Sequence, residues 1–403
     1  MIAFDSGNTA FMLVATSLVM LMTPGLAFFY GGLVGRKNVL AIMIQSFISM
    51  GWTTVLWYLF GYSLCFSGDF FGIIGNFNHA FLRGIEVTAM HPNGFPLMIF
   101  VAYQMMFAII TPALITGAFA NRINFKAYFI FLTVWLILVY FPICHMAWGP
   151  NGLFQQWGVL DFAGGTVVHA TAGFAALAAV LFVGKRKNGT ESPHNLPLVA
   201  LGTGLLWFGW YGFNAGSELA ADNITALAFL NTDIAASFAA VTWLFLAWFF
   251  EKKPKFLGLL TGAVAGLVAI TPAAGYVTPT SAVLIGIISA IVCYLAVALK
   301  NKLKFDDALD VWGVHGVGGV VGCISLGIFA TLAVNKNGAA GLLFGNSIFF
   351  LKEIAVVLGV ALYAFVFSYA MLWLIDKITP VRTSPDHEDD GLDFSLHGET
   401  AYE

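Results

Sequence analysis

Asp161-Phe162-Ala163-Gly164-Gly165-Thr166-Val167-Val168-His169 has a counterpart in Asp307-Ala308-Leu309-Asp310-Val311-Trp312-Gly313-Val314-His315. In each stretch an acid precedes a histidine by eight residues. Val stands directly before the histidine, and a glycine follows four residues on (Gly173, Gly319). Both histidines lie in runs long and apolar enough to cross a bilayer, which takes about 20 residues of helix. Eleven such runs are read, near 9–34, 39–66, 96–120, 127–148, 163–184, 196–215, 224–250, 256–276, 280–299, 311–334 and 347–375. Their apolarity is continuous rather than alternating, which selects helices over a barrel. The two histidine stretches fall on spans 5 and 10. Spans 1–5 and 6–10 then form two halves of five. An odd number of spans per half inverts the second half, a common transporter plan with its working site between the halves. Span 11 is left as an outer strut.

Composition agrees. Of 403 residues, 59% are hydrophobic and 10% charged, and mean hydropathy is +0.86. A soluble domain carries about 25% charged residues, so the chain reads as an all-α polytopic membrane protein. The formal charge of −3 gives no basic face for nucleic acid. Cys65, Cys144, Cys293 and Cys323 all sit in apolar runs and say nothing about redox compartment. Residues 1–10 hold Asp5 and no Lys or Arg, so the first run is read as a permanent span rather than a signal peptide.

Lys and Arg orient the spans. Alternate loops collect 15 of the 18 on one side, from Arg36 and Lys37 to Lys377 and Arg382; the other side has Arg83 and Lys336, and Lys352 sits near a helix end. The positive-inside rule makes the first side cytoplasmic, with the N-terminus outside and the C-terminus inside. The expected organisation is a transport domain over 1–376 (first half 1–184, second half 196–334, span 11 at 347–375) and a polar cytoplasmic tail over 377–403, either a solvated end or a docking element.

Ionisable groups inside a bilayer are functional hypotheses by default. His169 and His315 have small neighbours (Gly165 and Gly173; Gly319 and Gly322) that let helices approach closely. Two readings stay open: a hydrogen-bonded packing pair, or two imidazoles meeting across the pseudo-twofold axis to line a path. A zinc site with Asp161 is disfavoured, because eight residues of helix rise about 12 Å. Trp210, Phe213 and Ser217 share one face of span 6, and Tyr103, Phe107 and Thr111 one face of span 3. Trp148 ends span 4 on the same side. Aromatic faces with a serine hydroxyl can surround a small cation. Asp161 either adds negative field there or caps its helix through the Gly164 and Gly165 amides. Asp233 is read as hydrogen-bonding neighbouring spans, and Glu218 and Asp222 as solvated.

These residues resemble the ammonium transporter family, in its Amt branch. The resemblance spans nearly the whole chain. It rests on Pro24 to Gly32, Asp161 to His169, Trp207 to Ser217, Asp310 to Gly316 and His397 to Tyr402, in order on eleven spans. It implies a homotrimer with one pore per subunit. By motif position, Phe107, Trp148 and Ser217 match the ammonium recruitment site, and Asp161 the acid needed near it. Phe107 and Phe213 match the phenyl gate, His169 and His315 the twin pore histidines, and Trp210 and Tyr140 further wall positions. Tyr103 stands where Phe is usual, Glu218 where a small residue is, and Asp233 where Asn is frequent. The tail resembles the family's regulated C-terminus, on which a PII signalling protein docks in bacterial relatives, and Lys300 to Asp310 lies where it would carry the tail's signal to span 10.

The implied activity is recruitment of ammonium outside, loss of its proton, and passage of ammonia through an apolar pore. The proton is either left behind or relayed separately. No enzyme activity, cofactor or metal is expected. A prokaryotic plasma or inner membrane suits the short loops. The rivals are an ammonium sensor of the same fold signalling through its tail, and a general gas channel, which would lack Trp148 and Ser217.

Overall fold

The computed structural model describes residues 2–187 and 192–402. Among these residues there is no β-strand, only three isolated bridges. Ten helices are long and apolar enough to cross a membrane. An eleventh apolar helix, Phe256–Ile270, is shorter. It starts beside Lys255 and runs into a segment paired with Phe162 and Thr331 at the opposite end of the bundle, so it completes the eleven crossings.

Two expected ends are corrected. Span 8 was expected to reach 276, but helix stops at Ile270. Thr271 is still αR (φ −50°, ψ −51°), but Pro272 after it brings no N–H to continue the ladder. Span 10 was expected to reach 334, but helix stops at Phe329. The chain beyond it bonds across to the span 8 turn instead, with Thr331 N donating to the Tyr276 carbonyl (3.0 Å) and Asn335 Nδ2 to that of Gly275 (3.2 Å).

The packing repeats between halves. Span 1 (Ser6–Leu33) lies along span 6 (Leu196–Ala215), each the first helix of its half. Span 5 (Gly165–Val183) crosses span 10 (Trp312–Phe329), the fifth of each half. The crossing is backbone on backbone. A Cβ on Gly173 would sit 2.0 Å from Gly316 N, and one on Gly319 would sit 2.9 Å from Ala170 N. Only hydrogen fits at either position, which accounts for the glycine four residues after each histidine. In both spans the histidine sits in a π-helical turn, Gly165–Ala170 and Trp312–Gly316, a deviation that frequently marks functional sites.

The bundle has two unlike ends. At one, the segments around Arg36, Arg122, Arg186 and Asp306 meet the residues after Asp376. Arg186 pairs with Asp306 (2.6 Å), Arg122 with Asp306 (3.7 Å) and Arg382 with Glu388 (2.7 Å). The tail is not loose there. Pro385–Asp390 and Leu392–His397 are short helices. Asp393 accepts from Ala41 N (2.7 Å) and Asn38 accepts from Leu392 N (2.9 Å), tying the tail to the start of span 2. At the other end, Asn8, Asn93, Leu219 and Ala221 hydrogen-bond one another around the N-terminus. The alternation of loops inferred from Lys and Arg is therefore the alternation observed.

Candidate functional site

Three cavities lie in series between these ends. On the face opposite the Lys/Arg-rich one, a vestibule of about 350 Å³ is bounded by Gln104, Phe107, Trp148, Asp161, Ser217 and Glu218 among others. Its floor is Phe107, whose ring lies 4.3 Å from that of Phe213, tilted by 34°. The two phenyl rings close the passage. Beneath them a chamber of about 10 Å³ is lined by Phe213, Trp210, His169, His315 and aliphatic side chains. That is about the room of one water-sized molecule. His315, Phe29 and Val264 line both this chamber and a third cavity of about 210 Å³ that opens among Arg186, Lys300 and Asp310.

Trp148, Ser217 and Tyr103 are each held by hydrogen bonds. Trp148 meets Phe107 edge-on (5.8 Å, 83°), and its Nε1 donates to the Asp161 carbonyl at 2.8 Å. Ser217 Oγ donates to the Phe213 carbonyl at 2.9 Å. The Tyr103 hydroxyl lies 3.2 Å from Ser217 Oγ and donates toward the Gly212 and Phe213 carbonyls at 2.9 and 3.0 Å. With those hydroxyl protons directed at carbonyls, Ser217 keeps a lone pair for a donor arriving from the vestibule. Tyr103, which stands where Phe is usual, thus holds the serine and the gate helix together.

Of the two readings of Asp161, the contacts are those of the helix cap. Its Oδ1 accepts from Gly164 N and Gly165 N (2.8 and 2.7 Å), and its Oδ2 from Thr166 N and Val167 N (2.8 and 3.1 Å). All four first-turn amides of span 5 converge on one carboxylate, which has no oxygen spare for a cation. Burial pushes its pKa up, while these amides hold it down. Gly164 adopts φ +121°, a conformation open to glycine alone, so that the turn can wrap the carboxylate. Asp307 does the same for span 10, accepting from Val311 N (3.1 Å) and Trp312 N (2.8 Å). Burial, aided by Asp310 and opposed by Lys300, pushes it up to about 6. The acid eight residues before each histidine is therefore a helix cap.

His169 and His315 meet, with Nδ1 to Nδ1 at 3.3 Å and rings stacked at 5.4 Å and 27°. One Nδ1 must carry the hydrogen and the other accept it, so a neutral pair leaves one Nε2 as acceptor and the other as donor. The Nε2 of His169 is buried with no protein partner. Trp210 stacks on His169 (5.4 Å, 22°) and is fixed by Nε1 donating to Thr271 Oγ1 at 2.9 Å.

Tyr140 stands apart from the cavity linings. It is fully buried, lines none of the three cavities, and meets Phe141 edge-on at 6.1 Å. The π-helical turn Leu136–Tyr140 breaks the register of span 4 there. Glu218 is not solvated but half-buried on the vestibule wall. Asp222 caps the next helix through Ile224 N and Thr225 N. Asp233 accepts from the Tyr211 hydroxyl at 2.7 Å, a bond between spans 7 and 6. Gln104 was missed. It is buried in the vestibule wall with Oε1 unpartnered, and its place three residues before Phe107, on a neighbouring stripe of the same helix, was the available signal. Among the described residues no group of three or more His, Cys, Asp or Glu could hold a metal ion.

Residues 10–402 match the Ammonium Transporter Family. The chain is 45% identical over 401 residues to an ammonium transporter of Bacillus subtilis, covering 98% of both chains. It is 46% identical to one of Aquifex aeolicus, covering 99% of this chain and 94% of that one. The crystal structure of Candida albicans Mep2 superposes with a TM-score of 0.89 at 35% identity, over 95% of this chain and 88% of that one. A structure described as a sensor Amt protein gives 0.89 at 30% identity, over 97% and 98%.

Proposed function

The chain belongs to the ammonium transporter family, and from that premise we propose that the three cavities are successive stations for its substrate. Ammonium is an N–H donor of single positive charge. At the floor of the vestibule it meets the faces of Trp148 and Phe107, an attraction of about 1–2 kcal/mol when desolvated. The Ser217 hydroxyl accepts one of its hydrogens. The chamber beneath is apolar apart from its imidazoles. A bare cation there costs roughly 3 kcal/mol or more. Potassium has no way round that cost, whereas ammonium escapes it by releasing a proton.

Ammonia then needs the Phe107–Phe213 pair to part and a polar partner on the far side. The observation that carries the reading is the His169–His315 pair, 3.3 Å apart directly beneath the closed rings. Its unlike Nε2 atoms supply an acceptor and a donor to a molecule that is itself both. The same pair can relay a proton separately, so net ammonia flux and net charge movement are both open to this geometry.

The test is an ammonium jump on proteoliposomes, with potassium as control and lumenal pH recorded. Ammonium-specific current means that charge crosses, and lumenal alkalinisation without current means that ammonia crosses alone. His169→Ala combined with His315→Ala abolishes flux or ammonium-over-potassium selectivity. Unchanged selectivity in a folded double variant removes the histidines from the mechanism.

We further propose a homotrimer in a prokaryotic plasma membrane, with the Lys/Arg-rich face in the cytoplasm as a docking face for a PII-type protein. Support comes from the groove lined by Lys185, Lys300 and Lys304 and from the tail seated beside it. Lys187 N donates to Glu388 (3.1 Å), Arg186 beside it pairs with Asp306, and Asp307 caps span 10. These contacts join the tail to the His315 helix. The Lys300–Asp310 contact (2.5 Å) lies on the same route. Sensing through that route is the second reading, favoured by the sensor-described neighbour. Flux that persists when the tail is untethered by Asp393→Ala, while PII capture is lost, separates transport from signalling.

A further inference from the structure

Span 11 holds an acid that the transport path leaves unused. Glu353 stands about two turns into Ser347–Asp376 and is 1% exposed. Its Oε1 accepts from Leu160 N at 2.7 Å, and its Oε2 has no partner in the protein. A carboxyl group inside a membrane protein is costly and tends to be kept for a purpose. Packing does not require it, since Val356, Val357, Val360 and Ala361 already bury span 11.

Leu160 leads into the recruiting cluster. The next residue, Asp161, gives its carbonyl to Trp148 Nε1 at 2.8 Å, and Trp148 stands edge-on to Phe107. A continuous line therefore runs from the Glu353 carboxylate through the Leu160 amide and the Asp161 carbonyl to the indole. Lys352 holds the same loop from its other end, with Nζ donating to the Trp157 carbonyl at 2.7 Å. Adjacent residues of span 11 thus fix both ends of 157–160. Lys352 is exposed, so its share of that hold is small. The buried carboxylate is the firm one.

We propose that Glu353 is a positioning residue of the ammonium-recruiting cluster, setting the loop on which the Trp148 indole is hung. Span 11, which lies outside the two repeats, is on this account part of substrate selection rather than a strut. The inference rests on the reading of Trp148, Phe107 and Ser217 as the recruitment site. It makes the site depend on an acceptor at 353, whatever the charge there.

Full-length protein in proteoliposomes is compared with Glu353→Gln, Glu353→Leu and Glu353→Asp. Initial rates are taken against ammonium concentration, from current or, where no charge moves, from lumenal alkalinisation. A wild type that moves ammonia alone therefore still reports on Glu353. Glu353→Leu leaves Leu160 N–H without an acceptor and raises the half-saturating concentration about fivefold, the scale of one hydrogen bond, with little change in maximal rate. Glu353→Gln keeps an amide oxygen and stays within about twofold of wild type. Should Glu353→Leu not be recovered folded, Glu353→Asp, whose shorter arm draws the acceptor back, takes its place with the same expected rise. Recovered, heat-stable variants with unchanged half-saturation overturn the proposal. So does Glu353→Gln as impaired as Glu353→Leu, because the acceptor would then not be what matters.

Discussion

Asp161→Asn separates a cap from a substrate ligand. The carboxylate takes two backbone amides on each oxygen, at 2.7 to 3.1 Å. Asparagine keeps one oxygen and turns an NH2 group toward the other two donors, so two hydrogen bonds to a charged acceptor are lost. At about 1.5–3 kcal/mol each, the loss is roughly 3–6 kcal/mol. That is a large share of the roughly 5–15 kcal/mol by which a domain is folded. The damage is directed, because the turn that unwinds starts span 5 and aims His169. The same residue's carbonyl also holds Trp148. The assay is graded heating of the detergent-solubilised protein, with the surviving folded fraction read by size exclusion, followed by ammonium flux on what survives. The expected result is a marked fall in heat resistance accompanied by loss of flux. Asp161→Asn as heat-resistant as wild type yet unable to transport would refute the argument, because the negative charge would then be acting on the ammonium ion and the four amides would be incidental.

Two further outcomes follow from the vestibule. Tyr103→Phe removes the hydroxyl that meets Ser217, Gly212 and Phe213. The half-saturating ammonium concentration should rise up to about fivefold at unchanged maximal rate, one buried hydrogen bond's worth of order, and an unaltered concentration dependence would take Tyr103 out of the site. His91 on the vestibule wall is held by burial down at about 4, and it stacks on Phe95 (4.5 Å) and Phe100 (5.2 Å). The unfolded chain protonates this ring near 6.5. His91 therefore contributes fully to stability above that pH, and its contribution is lost as pH falls toward about 4. His91→Phe keeps the stack without the titration, so its unfolding temperature should fall less between pH 6.5 and 4 than that of wild type, and parallel curves would contradict the shift.

Much of the scaffold is legible in the sequence. Lipid offers backbone no hydrogen bonds, so each crossing must be a continuous apolar helix, and eleven could be marked without any tertiary knowledge. The distribution of Lys and Arg sorts the loops into two sets, and the structure gathers the same sets at opposite ends. The doubled acid–histidine spacing exposes the repeat. Its glycines imply the close crossing of spans 5 and 10, because only a missing Cβ permits backbones to touch.

Tertiary structure alone showed what each candidate site residue touches. Asp161 reads equally as a ligand or a cap until four amides are seen on its two oxygens. Tyr140 matches a wall position by motif, yet it is fully buried and lines none of the three cavities. Beyond the ends of spans 8 and 10, Gly275, Tyr276, Thr331 and Asn335 bond one span's end to the other's within the second half, a pairing between residues distant in the chain. The contacts of Tyr103 with Ser217 and of Glu353 with Leu160 are of the same kind. A membrane constrains each segment locally, so span order and sidedness can be read from residue pattern. The hydrogen bonds that aim individual side chains join residues brought together only by packing, and they appear only when the spans are assembled.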